Sequence, residues 1–170
     1  MAAIHSLANS TVRIVITNGA GVGTGFHFLK PEIIVSNAHV VDHLITSGTA
    51  MSAIAEDGRA WQLKIIAFSK PEEHDYAIMS ADGPKFDGRE FLSPNTSEII
   101  RGRPLLYAGY PHGIDPLLVF HSQVGAPLKG RDFYFDGMIH GGNSGGPITD
   151  ENGKTLLGIS PLADFLATPK

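Results

Sequence analysis

A serine enclosed by glycines stands within residues 141–147, whose sequence is GGNSGGP. Glycines on both sides let the backbone take turn conformations closed to other residues, and they let an extended substrate approach the main chain. They also leave backbone N–H groups free to face a carbonyl oxygen that becomes negatively charged during nucleophilic attack. Ser144 is therefore the first candidate nucleophile of this chain.

A base and an orienting acid for this serine both occur in the first half of the chain. A serine hydroxyl is weak by itself and needs a histidine to take its proton, usually with a carboxylate behind the histidine. His39 follows an apolar, β-branched run that is typical of a strand, and Asp75 immediately precedes a second such run. The order His39, Asp75, Ser144 is one of the chain orders in which the serine, histidine and aspartate triad occurs.

The residues around these three positions form short motifs in a fixed order. They are GTGF at 23–26, SNAHVV at 36–41, EDGR at 56–59, DYAI at 75–78, GYP at 109–111 and FDGMIHGGNSGGP at 135–147. On these motifs the chain resembles the trypsin-like serine peptidases, and among them the HtrA/Deg-type protease domain without its PDZ domain. The likeness covers roughly residues 11 to 160. It implies a chymotrypsin-like fold and hydrolysis of peptide bonds.

The resemblance also implies a role for each site residue. Ser144 would attack the peptide carbonyl, His39 would take the serine proton and later return it, and Asp75 would orient the imidazole. The backbone N–H groups of Gly142 and Ser144 would form the oxyanion hole. No metal and no cofactor is expected.

The substrate pocket is expected close to the nucleophile loop. Its candidate residues are Met138, Ile139, His140, Gly141 and Ser160. Met138 and Ile139 would form the base of the pocket and carry no charge that could pair with a lysine or arginine of the substrate. A small or medium apolar side chain is the expected preference.

Three other interpretations of these motifs fail on specific points. Residues 142–146 also fit the nucleophile elbow of another hydrolase fold, but that fold places its histidine after the serine, and no histidine follows Ser144. Residues 19–25 are glycine-rich but lack the spacing of a dinucleotide-binding loop, so we interpret them as a hairpin turn. His39 and His43 could share a helix face, yet the glutamate of the zinc-protease motif is missing between them.

Composition narrows the classes of function. The 170 residues are 42% hydrophobic and 18% charged, as in an ordinary globular protein, and the formal net charge of -4 offers no basic surface for nucleic acid. The absence of cysteine excludes disulfides. The first residues, MAAIHSL, lack the basic segment of a signal peptide, and no run approaches the length of a membrane span. We therefore expect a cytosolic protein that binds neither nucleic acid nor membrane.

Short β-rich runs separated by turn signals predict an all-β protein of two antiparallel, six-stranded-type barrels. The first half, residues 1–85, carries candidate strands at 12–17, 24–29, 33–37, 51–56, 61–68 and 76–80. A loop at 82–96 leads into the second half, residues 86–170, with candidate strands at 104–109, 117–124, 133–135, 146–149 and 156–160. Because few residues follow Ser160, we expect the second barrel to be shortened at its C-terminus.

Two classes of function remain open. The favoured one is a serine endopeptidase whose partner is a protein or peptide substrate. It is either a general protease or the protease segment of a larger polyprotein or a defence system that cuts one dedicated partner. The alternative is a catalytically silent or latent module that keeps the protease fold and binds a peptide by strand addition. The set of His39, Asp75 and Ser144 favours the enzyme.

Overall fold

The computed structural model describes residues 1–17, 19–128, 133–135 and 144–160. The first half contains α1 (Ala2–Ser10), β1 (Thr11–Ile16), β2 (Gly21–Phe28), β3 (Lys30–Ser36), α2 (Asp42–Ser47), β4 (Met51–Ile54), β5 (Ala60–Ser69) and β6 (Tyr76–Asp82). The second half contains β7 (Ser93–Pro94), β8 (Pro104–Gly109), a 3₁₀ turn (Pro111–Gly113), β9 (Leu118–Pro127), β10 (Phe133–Phe135), β11 (Pro147–Asp150) and β12 (Thr155–Ile159).

The strands of the first half close into a barrel in the order β1-β2-β3-β6-β5-β4. Neighbouring strands are antiparallel, and alternate side chains point inward because the side-chain period of a strand is two. The interior is filled by fully buried residues that include Val12, Ile14, Ile34, Trp61 and Met79. Each buried aliphatic side chain contributes roughly 1.5–3 kcal/mol relative to exposure, so this core holds the strand ends that carry the site.

The strands of the second half form a six-stranded sheet in the order β10-β9-β8-β11-β12-β7. Its core includes the buried Leu105, Tyr107, Val124, Ile148 and Leu157. The all-β prediction is confirmed, and the first barrel is closed. In the described part of the chain the second unit is a six-stranded sheet that ends at the two-residue strand β7, which pairs in parallel with β12.

The two units meet along β2. The backbone N–H of Tyr110 donates to Thr24 Oγ1 at 3.0 Å. A Cβ on Gly21 would overlap the carbonyl of Gly113, so only a glycine lets these two backbones cross. An apolar cluster of Phe26, Val35 and Leu92 extends the contact toward the second sheet, with Leu156 and Ile159 packed against it. β2 therefore fixes where the second sheet lies on the barrel.

The glycine-rich run at 19–25 is mostly strand, which corrects our interpretation of it as a hairpin turn. β2 begins at Gly21 and pairs with β1, and the turn is confined to the few residues before it. Strand pairing with β1 and β3 overrides the weak strand propensity of glycine here. Neighbouring atoms leave no room for a Cβ at Gly21 or Gly23, which explains why both positions are glycine.

Helices α1 and α2 were not predicted. Ala3 and Leu7 lie four residues apart on one face of α1, and Leu7 is buried against Leu106 and Ala108 of the second sheet. The helix α2 packs Leu44 and Ile45 on the barrel core and ends at Gly48, whose φ is +66°. Both helices are short, so packing rather than intrinsic propensity stabilises them. The division of the chain at residue 85 stays a prediction.

Candidate active site

His39 lies in the turns that follow β3, and its imidazole contacts the carboxylate of Asp75. The ring Nδ1 is 2.6 Å from Asp75 Oδ2, and the backbone N–H of His39 donates to Asp75 Oδ1 at 2.9 Å. Both oxygens of one carboxylate are therefore bound to the same residue. This double contact fixes the orientation of the imidazole.

The proton on the imidazole can be assigned from this geometry. An ionised carboxylate only accepts hydrogen bonds, so Nδ1 carries the proton and donates it to Asp75. In the neutral ring Nε2 then keeps its lone pair, which is the atom a general base uses. The side chains of His39 and Asp75 are 20% and 19% exposed, so the pair is largely sheltered from solvent.

The backbone of Asp75 has an unusual conformation that is held from both sides. Its φ is +52°, in the left-handed region that few residues other than glycine adopt. The N–H of Asp75 donates to the carbonyl of Lys70 at 3.1 Å. The carbonyl of Asp75 accepts a hydrogen bond from Asn37 Nδ2 at 2.8 Å. The carboxylate therefore projects from a backbone that is tied at both peptide groups.

Ser144 is held at the same end of β3 by its own backbone and that of its neighbour. The carbonyl of Ser144 accepts from the N–H of Thr24 in β2 at 3.0 Å, and the serine is buried. Gly145 follows at a φ of +85°, and a Cβ there would overlap Ser36 Oγ and the carbonyl of Thr24. The same Cβ would lie 3.2 Å from the backbone nitrogen of Asn37, two residues before His39. The nucleophile loop thus lies against the segment that carries the histidine.

Ser160 joins the nucleophile loop through its main chain. Its carbonyl accepts from the N–H of Gly145 at 3.0 Å, and its own N–H donates to the carbonyl of Gly146 at 2.7 Å. Ser160 is buried, and its place in a substrate pocket stays a prediction. The other proposed pocket and oxyanion residues lie outside the described residues: Met138, Ile139, His140, Gly141 and Gly142.

The structure gives roles to residues that the sequence analysis quoted without using. Asn37 belongs to the SNAHVV motif and holds Asp75, while Thr24 belongs to the GTGF motif and holds Ser144. Ser36 Oγ donates to the carbonyl of Thr24 at 2.7 Å and links the two strands. Their position within the motifs was the only sign in the sequence that these residues belong to the site. The spacing of the motifs does not show which backbone group each side chain contacts.

The two neighbouring histidines, His39 and His43, differ in their exposure. His43 lies in α2 and is exposed, whereas the side chains of His39 and Asp75 are only 20% and 19% exposed. Among residues 1–17, 19–128, 133–135 and 144–160, no group of three or more His, Asp or Glu side chains could hold a metal ion.

Comparison with known proteins places this arrangement in a family. The model of the trypsin-like peptidase domain matches residues 23–159. The chain belongs to this family. The match spans the strands that carry all three candidate catalytic residues of this trypsin-like peptidase domain.

Curated relatives of this peptidase domain are HtrA/Deg proteins. It is 28% identical over 150 residues to Protease Do-like 1, chloroplastic, from Arabidopsis thaliana, covering 82% of this chain and 33% of that protein. It is 28% identical over 152 residues to the putative serine protease HhoA from Synechocystis sp., covering 83% of this chain and 36% of that protein. The resemblance to the HtrA/Deg-type domain is therefore confirmed. The chain spans about a third of the length of these relatives.

Solved structures show the same fold. Deg5 aligns with a TM-score of 0.71 at 23% identity, covering 95% of this chain and 83% of that chain. The inactive form of the Rv3671c protease, from M. tuberculosis, aligns with a TM-score of 0.74 at 22% identity, covering 96% of this chain and 82% of that chain. The trypsin-like peptidase domain thus has the chymotrypsin-like fold that its motifs predicted.

Two findings bear on where the protein acts. Within the described ranges no helix has both the length and the apolar character needed to cross a membrane. The relatives include a protein named as chloroplastic. The expected cytosolic location stays a prediction.

Proposed function

We propose that this chain is a serine endopeptidase that uses Ser144 as nucleophile, His39 as general base and acid, and Asp75 as the orienting carboxylate. The observation that carries this proposal is the double contact of the Asp75 carboxylate with the imidazole and backbone N–H of His39. Membership of the trypsin-like peptidase family supports hydrolysis of peptide bonds as the reaction.

In the first half of the proposed reaction the enzyme is acylated. Ser144 Oγ forms a bond to the carbonyl carbon of the substrate while its proton passes to His39 Nε2. The oxyanion that results would be bound by the backbone N–H groups of Gly142 and Ser144. The C–N bond then breaks, and His39 gives its proton to the leaving amine. Asp75 stabilises the imidazolium that exists between these two transfers.

In the second half a water molecule takes the place of the serine. His39 accepts a proton from the water as its oxygen attacks the acyl carbon, and the bond to Ser144 Oγ breaks. The proton returns to Ser144, and a carboxylic acid leaves. We infer that Met138 and Ile139 accept an apolar side chain of the substrate, with His140, Gly141 and Ser160 completing the pocket.

Covalent labelling with a fluorophosphonate probe tests this proposal. The Ser144 oxygen would displace fluoride from phosphorus, so intact-mass spectrometry should show one adduct on the wild-type chain. Ser144→Ala and His39→Ala should show none, because the first lacks the nucleophile and the second lacks the base. Ser6→Ala is a matched control, since Ser6 Oγ binds Glu90 in a different part of the fold, and it should be labelled like the wild type.

Peptide hydrolysis gives the second readout. We expect Ser144→Ala to lower kcat by on the order of 10⁴-fold or more, with circular dichroism unchanged. A folded wild-type chain that takes no label and cleaves no peptide would contradict the proposal and favour the peptide-binding module. Labelling that persists in Ser144→Ala would show that another residue is the nucleophile.

A further inference from the structure

Asn37 lies between Asp75 and the nucleophile loop, and its side chain has no role in the proposed reaction as described so far. It directly follows β3 and is buried. Its Nδ2 donates to the carbonyl of Asp75 at 2.8 Å. On its other side its backbone nitrogen lies close to Gly145. Asn37 is thus the described side chain that contacts the main chain of the candidate acid.

The carbonyl that Asn37 holds belongs to the peptide group between Asp75 and Tyr76. This peptide group sets ψ of Asp75, whereas the preceding peptide group sets φ, which is +52°; a change from the left-handed to the extended conformation needs both to rotate. That conformation costs free energy for residues with a Cβ, although aspartate adopts it more often than most, so contacts on both peptide groups stabilise it here. The hydrogen bond from Asn37 supplies one contact, and the bond from the Asp75 N–H to the carbonyl of Lys70 supplies the other.

The direction of the Asp75 side chain depends on that backbone conformation. A left-handed residue and an extended residue direct their Cα–Cβ bonds differently, so a flip to the extended form would move the carboxylate. The carboxylate now meets two N–H groups of His39, at 2.6 Å and 2.9 Å. Neither contact would survive a displacement of about 1 Å without becoming a poor hydrogen bond.

We propose that Asn37 is a positioning residue whose amide holds the backbone of Asp75 so that the Asp75 carboxylate stays on both N–H groups of His39. This inference rests on the proposed function. It adds a fourth side chain to the three of the triad. This side chain does not touch the substrate and affects the reaction only through Asp75.

The Oδ1 atom of Asn37 suggests a substitution that can separate an effect on catalysis from an effect on stability. Asn37 Oδ1 is buried and has no hydrogen-bond partner among the described residues. A buried polar atom without a partner destabilises the fold, whereas an apolar side chain of similar shape does not. Leucine has nearly the shape of asparagine. Asn37→Leu removes the unpaired Oδ1 but also takes the donor away from the Asp75 carbonyl, so the two effects on stability oppose each other and Tm should change little while the hydrogen bond to Asp75 is lost.

The first experiment compares steady-state kinetics of wild type and Asn37→Leu. We expect kcat to fall about 100-fold, because a misplacement of about 1 Å costs this much, while KM changes by less than about 2-fold. Asn95→Leu is the matched control, because Asn95 Nδ2 also donates to a backbone carbonyl, that of Ser97, away from the site.

A double-mutant cycle with Asp75→Ala separates positioning from a general packing role. If Asn37 acts through the Asp75 carboxylate, then adding Asn37→Leu to Asp75→Ala should change the labelling rate by less than about 2-fold. A merely structural role would lower the rate in both backgrounds equally, which would overturn the inference. Full activity of Asn37→Leu in an active enzyme would also overturn it while leaving the proposed function intact.

A crystal structure of Asn37→Leu tests the inference without relying on activity. We expect Asp75 to leave the left-handed region and the distance from its carboxylate to His39 Nδ1 to exceed about 3.5 Å, the limit of a hydrogen bond. An Asp75 unchanged in conformation and still bound to His39 would overturn the inference even if the wild type proved inactive. A displaced Asp75 in an inactive protein would support the positioning role and refute the proposed function alone.

Discussion

Ser36 and Ala77 are direct partners across β3 and β6, and this pairing brings His39 and Asp75 together. His39 lies three residues beyond one partner, and Asp75 lies two residues before the other. Because the two strands are antiparallel neighbours, both residues emerge at the same end of the barrel. A separation of 36 residues along the chain thus becomes a hydrogen bond of 2.6 Å.

Removing the charge of Asp75 should impair the reaction far more than the fold. Asp75→Asn keeps the size of the side chain but can donate to Nδ1, which would favour the imidazole tautomer that lacks a base at Nε2. We expect kcat to fall by on the order of 10⁴-fold with KM nearly unchanged, measured on a peptide substrate. Asp82→Asn, at the exposed other end of β6, is the control and should retain wild-type activity. A loss of less than tenfold in Asp75→Asn would count against the role of this carboxylate.

A methyl group at Gly145 should disrupt both the fold and the nucleophile loop. The residue has φ +85°, and its Cβ would overlap Ser36 Oγ and the carbonyl of Thr24. We expect Gly145→Ala to lower the free energy of unfolding by about 3–5 kcal/mol, from overpacking and the positive φ together. Gly48→Ala has a similar φ of +66° but open space around the new Cβ, so it should cost only about 1–2 kcal/mol. Urea denaturation measures both, and equal losses would refute the steric argument.

His27 should make the protein less stable in acid. Burial and, to a lesser extent, the cation of Arg89 together lower the pKa of His27 from 6.5 to about 4. The ring is neutral in the folded protein, with Nδ1 bonded to the carbonyl of Pro31 and Nε2 accepting from Arg89 Nε at 3.1 Å. The unfolded chain therefore binds more protons than the folded chain wherever the pH lies between these two pKa values.

The sign of the effect follows from this difference in proton binding. The contribution of His27 to stability is fully present above pH 6.5 and is lost as the pH falls toward 4. The loss amounts to about 3 kcal/mol. Urea unfolding at pH 7 and pH 4.5 should show this drop, and His27→Gln should show a smaller one, because glutamine can bond to the same partners without titrating. An equal drop in both proteins would assign the acid sensitivity to other groups.

Much of the fold was readable from the sequence because its signals are local. The strand predictions at 104–109 and 133–135 match β8 and β10, and most others differ by one to three residues at an end. Apolar and β-branched residues alternate along these strands, and turn residues separate them. The two helices were missed because six or nine residues carry little helical preference of their own.

The site was readable in part for a different reason. The types and order of His39, Asp75 and Ser144 predicted an acid beside a base, and the structure places His39 and Asp75 in contact. The left-handed backbone of Asp75 and the amide that holds it could not be predicted, because both depend on which strands become neighbours. The same holds for Gly145, whose side chain is excluded by atoms of β2 and β3 that are distant in sequence.

The packing of α1 has a consequence for how the chain would respond to a break. This helix precedes β1 without any linker, yet its Leu7 lies in a cluster with Leu106 and Ala108 of the other sheet. The first strand and the second sheet are therefore joined through α1, which also contacts the connection at residues 83–92, where Ser6 Oγ donates to Glu90. If a protease cleaved this connection, the two fragments would remain bound to each other through these contacts. Unfolding of either fragment would expose apolar surface on the other. The barrel and the sheet should accordingly unfold as one cooperative unit.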